Sequence, residues 1–344
     1  MSITPDIPEL NDREKTVLEH IIRQYVMTAH PVGSRTISKQ MDVALSAASI
    51  RNVMSDLEEK GFIDHPHTSA GRIPTDVGYR YYVDELVQEG QLRDTDRQLI
   101  NLLMQSPESQ DFEGLLKSCS SLLGKISHQL AVVSSPQIGS GRLRSLDLVQ
   151  VSSNKILVIL SIVTGLVKTM VLEIHSEYPR EQLEQIKALL NERLAGLTLR
   201  EIRETFHERI KDAHHDHGLI RLFIESSDKV FSDHLDPERV HIEGMLGVLD
   251  QPEFEDPAQL KKIVEIVENQ NVIIHILDEV GNSSSLSIRI GSENKEVELQ
   301  DYSIIATPYQ YGPLNGTIGV FGPRRMDYAR MIAVVQHVAK ILCQ

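Results

Sequence analysis

Between residues 11 and 75 three short amphipathic runs follow one another, separated only by turn residues, and a Pro/Gly-rich segment closes the series. That order admits little besides a compact helical module ending in a hairpin. "NDREKTVLEHIIRQYVMTA" opens with Asn11 and has Glu14 three residues later, a capping-box spacing in which each side chain satisfies a free backbone N–H. Val17, Leu18, Ile21, Ile22 and Val26 then form one apolar stripe. Pro31 and Gly33 stop this helix, and Ser34 is positioned to cap a second, "SRTISKQM", with Ile37 and Met41 one turn apart. After "DVAL", Ser46 is positioned to cap a third helix, "AASIRNVMSDLEEKG", which Gly61 ends. Short second and third helices joined by about four residues make a helix-turn-helix pattern.

In the third helix Ile50, Val53, Met54 and Leu57 follow helical spacing and must face a core. The opposite face then carries Ala48, Asn52 and Ser55, with Arg51 on its flank. Small side chains permit close approach to a groove floor, while Arg and Asn can pair bidentately with guanine and adenine. The same pattern also suits an ordinary solvated helix face, so the next segment matters. In "FIDHPHTSAGRIPT" the pairs Phe62-Ile63 and Arg72-Ile73 can form a short hairpin, with Pro66 and Pro74 at positions that suit only an edge. Such a hairpin directly after the third helix is a wing. Thr68 and Ser69 can bond phosphate, and Arg72 can meet phosphate or enter the minor groove. His65 and His67 have a spacing that also fits a metal, but no third ligand lies near them in the sequence.

Charge limits how DNA can be met. The whole chain of 344 residues carries a net charge of −14, and residues 1–90 contain nine Lys+Arg against fourteen Asp+Glu. Any DNA-binding face must therefore be local.

"PVGSRTIS", "LSAASIRNVMSDLEEKGFIDHPHTSAGRIPTDVGYRYYVDEL" and, near the other end, "GTIGVFGPRRMDYARMIAVVQHVAKIL" resemble the heat-inducible transcription repressor HrcA family. The resemblance runs in order along nearly the whole chain. Ala47, Ser49 and Val53 depart from the Ser, Thr and Asp of the family pattern. The resemblance implies an α+β multidomain protein. Its parts would be a winged helix-turn-helix domain at 1–90, a GAF-like domain at 91–175 and 271–344, and a mainly helical dimerising insert at 176–270. It further implies a repressor of chaperone operons that binds an inverted-repeat operator as a homodimer and is kept active by a GroE-type chaperonin. The expected DNA-contacting residues are Ser34, Arg35, Ser46, Ala48, Ser49, Arg51, Asn52, Ser55, His67, Thr68, Ser69 and Arg72. A winged-helix regulator controlled by a small molecule in its GAF-like domain is the alternative.

Past residue 90, "DRQLINLLMQ" and "FEGLLKSCSSLLGKISHQLAVV" read as helices, and "LRSLDLVQV", "KILVILSIV" and "LVKTMVLEI" as strands. Leu183, Ile186, Leu190 and Leu194 make a helical stripe after Pro179, and Thr198 with Glu201 caps another helix. "NVIIHILDE", "LSIRIGS", "YSIIATPYQ" and "GTIGVFGP" read as closing strands before a last helix. A leftover apolar face on the insert would pair two subunits. Enzymatic readings fail: "SCSSLLGKIS" lacks the first Gly and the hydroxyl of a phosphate-binding loop, and "GTIGVFG" does not open a helix. No catalytic set, cofactor or metal is expected, although Asp212, His214, Asp216 and His217 have ligand-like spacing. Two distant cysteines, no apolar run long enough to span a bilayer, and an N-terminus without a targeting pattern lead to the expectation of a cytoplasmic protein.

Overall fold

The computed structural model describes residues 8–40, 46–66, 71–87, 92–104, 112–174, 177–211, 217–232, 240–281 and 285–343. In chain order the N-terminal elements are α1 (Asp12–Thr28), α2 (Ser34–Gln40), α3 (Ala47–Glu59), β1 (Ile63–Asp64), β2 (Ile73–Pro74) and α4 (Asp76–Tyr81), the last continuing as a wider turn to Leu86. Next come α5 (Asp94–Met104), α6 (Phe112–Ser127), β3 (Leu130–Ser134), β4 (Leu143–Ser152), β5 (Lys155–Ile162) and β6 (Val167–Glu173). They are followed by α7 (Arg180–Leu194), α8 (Leu199–Ile210), α9 (His217–Val230), β7 (Val240–Glu243), α10 (Met245–Leu249), α11 (Pro257–Glu268) and α12 (Gln270–Gly281). The chain closes with β8 (Ser287–Ile290), β9 (Tyr302–Tyr311), β10 (Leu314–Pro323) and α13 (Tyr328–Leu342). The result is a mixed helix and sheet protein with three antiparallel sheets among the described residues.

Local signals set most helix ends. Asn11 accepts from Arg13 N and Glu14 N while Glu14 reaches back to Asn11 N at 2.9 Å, the reciprocal cap expected from the sequence. Thr198 and Glu201 repeat the arrangement at α8. Gly61 takes φ +80 after the last turn of α3, a conformation a side chain would strain. Ser34 is a correction: it is the first residue of α2, and the Gly33 carbonyl accepts from Thr36 and Ile37 in the place of a cap.

The two larger sheets hold separate cores. The five-stranded sheet runs β7-β3-β10-β9-β8. Alternation along its strands sends Val133, Ile305 and Ile318 to one face, against α6 and α13. Val132, Ile304 and Ala306 go to the other, against α11 and α12. The three-stranded sheet β4-β5-β6 buries Ile156, Val158, Leu160 and Ile162 against α7, α8 and α9. Leu183, Ile186, Leu190 and Leu194 of α7 are all buried there, as their spacing predicts. Asn191 closes the β4 edge by bonding both the N–H and the carbonyl of Leu146 at 2.7 Å.

Two expectations are overturned. "NVIIHILDE" forms α12, whose Ile273, Ile276, Leu277 and Val280 face the core at helical spacing although three of the four are β-branched. The helix beginning at Phe112 ends at Ser127; His128 adopts φ 52, and Leu130–Ser134 continue as a strand between β10 and β7. Among the described residues no helix is long and apolar enough to cross a membrane.

Candidate nucleic-acid interface

The N-terminal module is built on α1. Its Val17, Leu18, Ile21 and Ile22 are fully buried against Ile37 of α2 and Ile50 and Leu57 of α3. Lys60, just past α3, reaches the buried Glu14 at 2.8 Å and fixes the far end of α3 to the start of α1. Burial raises the Glu14 carboxyl, but the Lys60 ammonium and the Asn11 N–H outweigh it and hold the group below its ordinary value. With its inner side fixed, α3 turns Ala48, Ser49, Arg51, Asn52 and Ser55 to solvent. Ser46 caps the helix by accepting from Ser49 N at 3.1 Å, and the two hydroxyls lie 3.0 Å apart. Arg35 on α2 is exposed and Ser34 half-buried. Lys39, also exposed on α2, is a cation the sequence reading passed over, because one lysine in a short polar helix gives no signal.

The hairpin sits directly after α3. Ile63 pairs with Pro74 and Asp64 with Ile73, one residue later on each strand than expected. Val32 adds a third rung: its N–H donates to the Arg72 carbonyl at 2.8 Å and the Arg72 N–H donates back at 2.9 Å. Gly71 passes so close to Pro31 that an added Cβ would lie 2.6 Å from the Pro31 carbonyl carbon. The backbone of Arg72 is thus pinned at the base of the hairpin. Its side chain bonds Glu58 through Nε at 2.9 Å and through Nη2 at 2.7 Å, and lies 3.0 Å from His65 Nδ1. Neither partner was foreseen, since Glu58 lies on the flank of α3 and only the fold brings it to Arg72. His67, Thr68 and Ser69 lie outside the described residues, as do Asp212, His214 and Asp216.

Ion pairs fasten this module to the C-terminal part of the chain. Arg80 of α4 bonds Glu293 at 2.5 and 2.7 Å and the Ile288 carbonyl at 2.7 Å. Asp76 accepts from Arg324 and from Ser292 N, both at 2.9 Å. Arg325 bonds the Val26 carbonyl of α1 at 2.6 Å and Glu253 at 2.6 and 3.0 Å.

Residues 113–332 match the family described as HrcA protein C terminal domain. The chain is 41% identical over 340 residues to the heat-inducible transcription repressor HrcA of Chlorobium phaeobacteroides (strain BS1), covering 96% of this chain and 97% of that one. It is 42% identical over 340 residues to the protein of the same name from Prosthecochloris aestuarii, with 96% of each chain covered. A solved crystal structure described only as a hypothetical protein superposes with a TM-score of 0.63 at 25% identity, over 97% of this chain and 98% of its own. An aligned run of such length, spanning both the exposed α3 face and the two larger sheets, places the chain in the heat-inducible transcription repressor HrcA family.

Proposed function

We propose that this transcriptional repressor of heat-shock genes binds, as a homodimer, an inverted-repeat operator upstream of chaperone operons. The chain is not an enzyme, in keeping with its family. In this reading residues 8–87 form a winged helix-turn-helix domain. The α3 helix enters the major groove, where Arg51 and Asn52 read base edges and Ala48 and Ser55 allow close approach. Ser34, Arg35, Ser46 and Ser49 bond phosphates around it, and the hairpin with His67, Thr68, Ser69 and Arg72 follows the neighbouring backbone. Arg72 exchanges Glu58 for phosphate on binding. The observation that carries the proposal is the exposed polar face of α3, held by a buried face on the same helix and flanked by the hairpin. Footprinting across the chaperone promoters of the source genome should reveal a protected inverted repeat. Protection of no such repeat would overturn the reading.

The remaining parts divide by their pairing. We take the five-stranded sheet with α6 and α10 to α13 as the GAF-like unit and β4 to β6 with α7 to α9 as the insert, at about 138–232 in place of the 176–270 expected from the sequence, because β4 to β6 share a core with α7 to α9. Dimerisation falls to the outer face of the insert sheet. Val149, Leu157 and Val171 lie side by side there across three strands, with Val149 47%, Val167 54% and Val171 51% exposed. Two copies packed by this face would form a sheet-on-sheet, two-fold contact. The repressor acts in the cytoplasm. A GroE-type chaperonin returns it to the active state after heating, so operator binding measured after a heat step should recover faster with chaperonin and ATP. Equal recovery without them would remove the chaperonin.

A further inference from the structure

A cleft of about 250 Å³ opens where the hairpin, α4 and the end of α1 meet the segment after β10 and the turn before α11. Tyr79 and Tyr302 line it, 2% and 1% exposed, and their hydroxyls have no hydrogen-bond partner among the described residues. Unpaired buried hydroxyls cost free energy that a hydrogen-bonding occupant recovers. Burial pushes both phenols above their ordinary range, Tyr302 up to about 12, so both stay protonated and able to donate.

Charges of both signs line the cleft. Arg324 and Arg325 line the cleft with Glu253, Asp256 and Asp301, and Arg325 already pairs with Glu253 at 2.6 and 3.0 Å. Arg324 is 44% exposed and Asp76 is its side-chain acceptor, at 2.9 Å, which engages one of five N–H groups. Asp256 accepts from Ala258 N with one oxygen at 2.9 Å, and Asp301 accepts from Lys262 with Oδ2 at 2.6 Å, so each keeps one oxygen for a further donor. Ile73, Pro74 and Phe254 supply apolar wall. Ligand pockets commonly span roughly 300–1,000 Å³, so this one suits an occupant well below nucleotide size.

We propose that the cleft binds a small zwitterion of the α-amino-acid class, with its carboxylate on Arg324 and the Tyr79 hydroxyl and its ammonium donating to Asp256, the remaining oxygen of Asp301 and the Tyr302 hydroxyl oxygen. The side chain of the ligand rests on Ile73, Pro74 and Phe254. Arg324, the exposed wall, swings aside to admit it and open the two phenols. Because the occupant touches the hairpin and the C-terminal segment at once, it stabilises their docking by mass action.

The test uses the full chain in a thermal-shift series with the standard L-α-amino acids at millimolar concentration, followed by calorimetric titration of the strongest. Acetate and methylammonium, each carrying one half of the ligand charge, serve as references. At least one amino acid should raise Tm more than either half-ligand. Tyr79→Phe and Tyr302→Phe, which keep the rings and so the packing, should each weaken it; for Tyr79→Phe, which removes a bond to the carboxylate, the loss should be roughly tenfold to hundredfold. An equal shift with acetate, no shift with any amino acid, or unchanged affinity in both variants would overturn the site.

Discussion

The two larger sheets of the protein are built from similar β-branched strands but differ in how their faces are covered. Both faces of the five-stranded sheet are packed, by α6 and α13 on one side and by α11 and α12 on the other. The three-stranded sheet covers one face with α7 to α9 and leaves Val149, Val167 and Val171 about half exposed on the other. Burying apolar surface is the main favourable term in folding, so a contiguous apolar face left bare points to a contact made outside the chain. Both faces of the first sheet therefore carry stability, whereas the outer face of the second is the one we propose for assembly.

This contrast breaks most directly under substitution. Ile305→Ala, in the covered sheet, should cost about 2–5 kcal/mol of unfolding free energy by leaving a cavity. Val171→Ala on the bare face should change the stability of the single chain by no more than about 0.5 kcal/mol. Denaturant titration at protein concentrations low enough to keep the chains apart checks both. Equal losses would mean that the outer face of β6 is covered within the chain.

Placing Val149→Lys and Val171→Lys together should leave circular dichroism unchanged yet separate the subunits. Operator affinity should then fall about hundredfold or more, the avidity that linking two half-site contacts supplies. A variant still dimeric by sedimentation would move the interface elsewhere. Arg51→Ala should cost about 1–3 kcal/mol on the operator and relax specificity at one position in each half-site. The dimer should be untouched. The smallest effect belongs to Arg72→Ala, which should weaken all DNA sequences alike and reduce the salt slope by about one. A selective loss on the operator would instead make Arg72 a base reader.

The sequence made some of this legible and hid the rest for identifiable reasons. Caps are local, so Asn11 with Glu14 and Thr198 with Glu201 could be placed from spacing alone. The exposed set on α3 followed from the positions of Ile50, Met54 and Leu57. In "NVIIHILDE" the run of β-branched residues favoured a strand, and burial of one helical face against β9 and β10 decided otherwise. The end of α6 was hidden because "ISHQLAVV" holds no Gly or Pro to mark the turn at His128, which adopts φ 52 without being glycine. Arg72 with Glu58, and the cleft between Tyr79 and Tyr302, join residues far apart in sequence, and no pattern within either segment signals them. The bare face was half visible: "LVKTMVLEI" alternates apolar residues onto both faces, but which face the helices cover is a tertiary outcome.

In the arrangement we propose, two chains joined by the insert grip one inverted-repeat operator, each through its own α3. Sedimentation equilibrium of the full chain with a duplex carrying the footprinted repeat tests it directly. The complex should have the mass of two chains on one duplex, and a duplex with a single half-site should bind far more weakly. One chain per duplex, with equal affinity for the half-site and the full repeat, would contradict it.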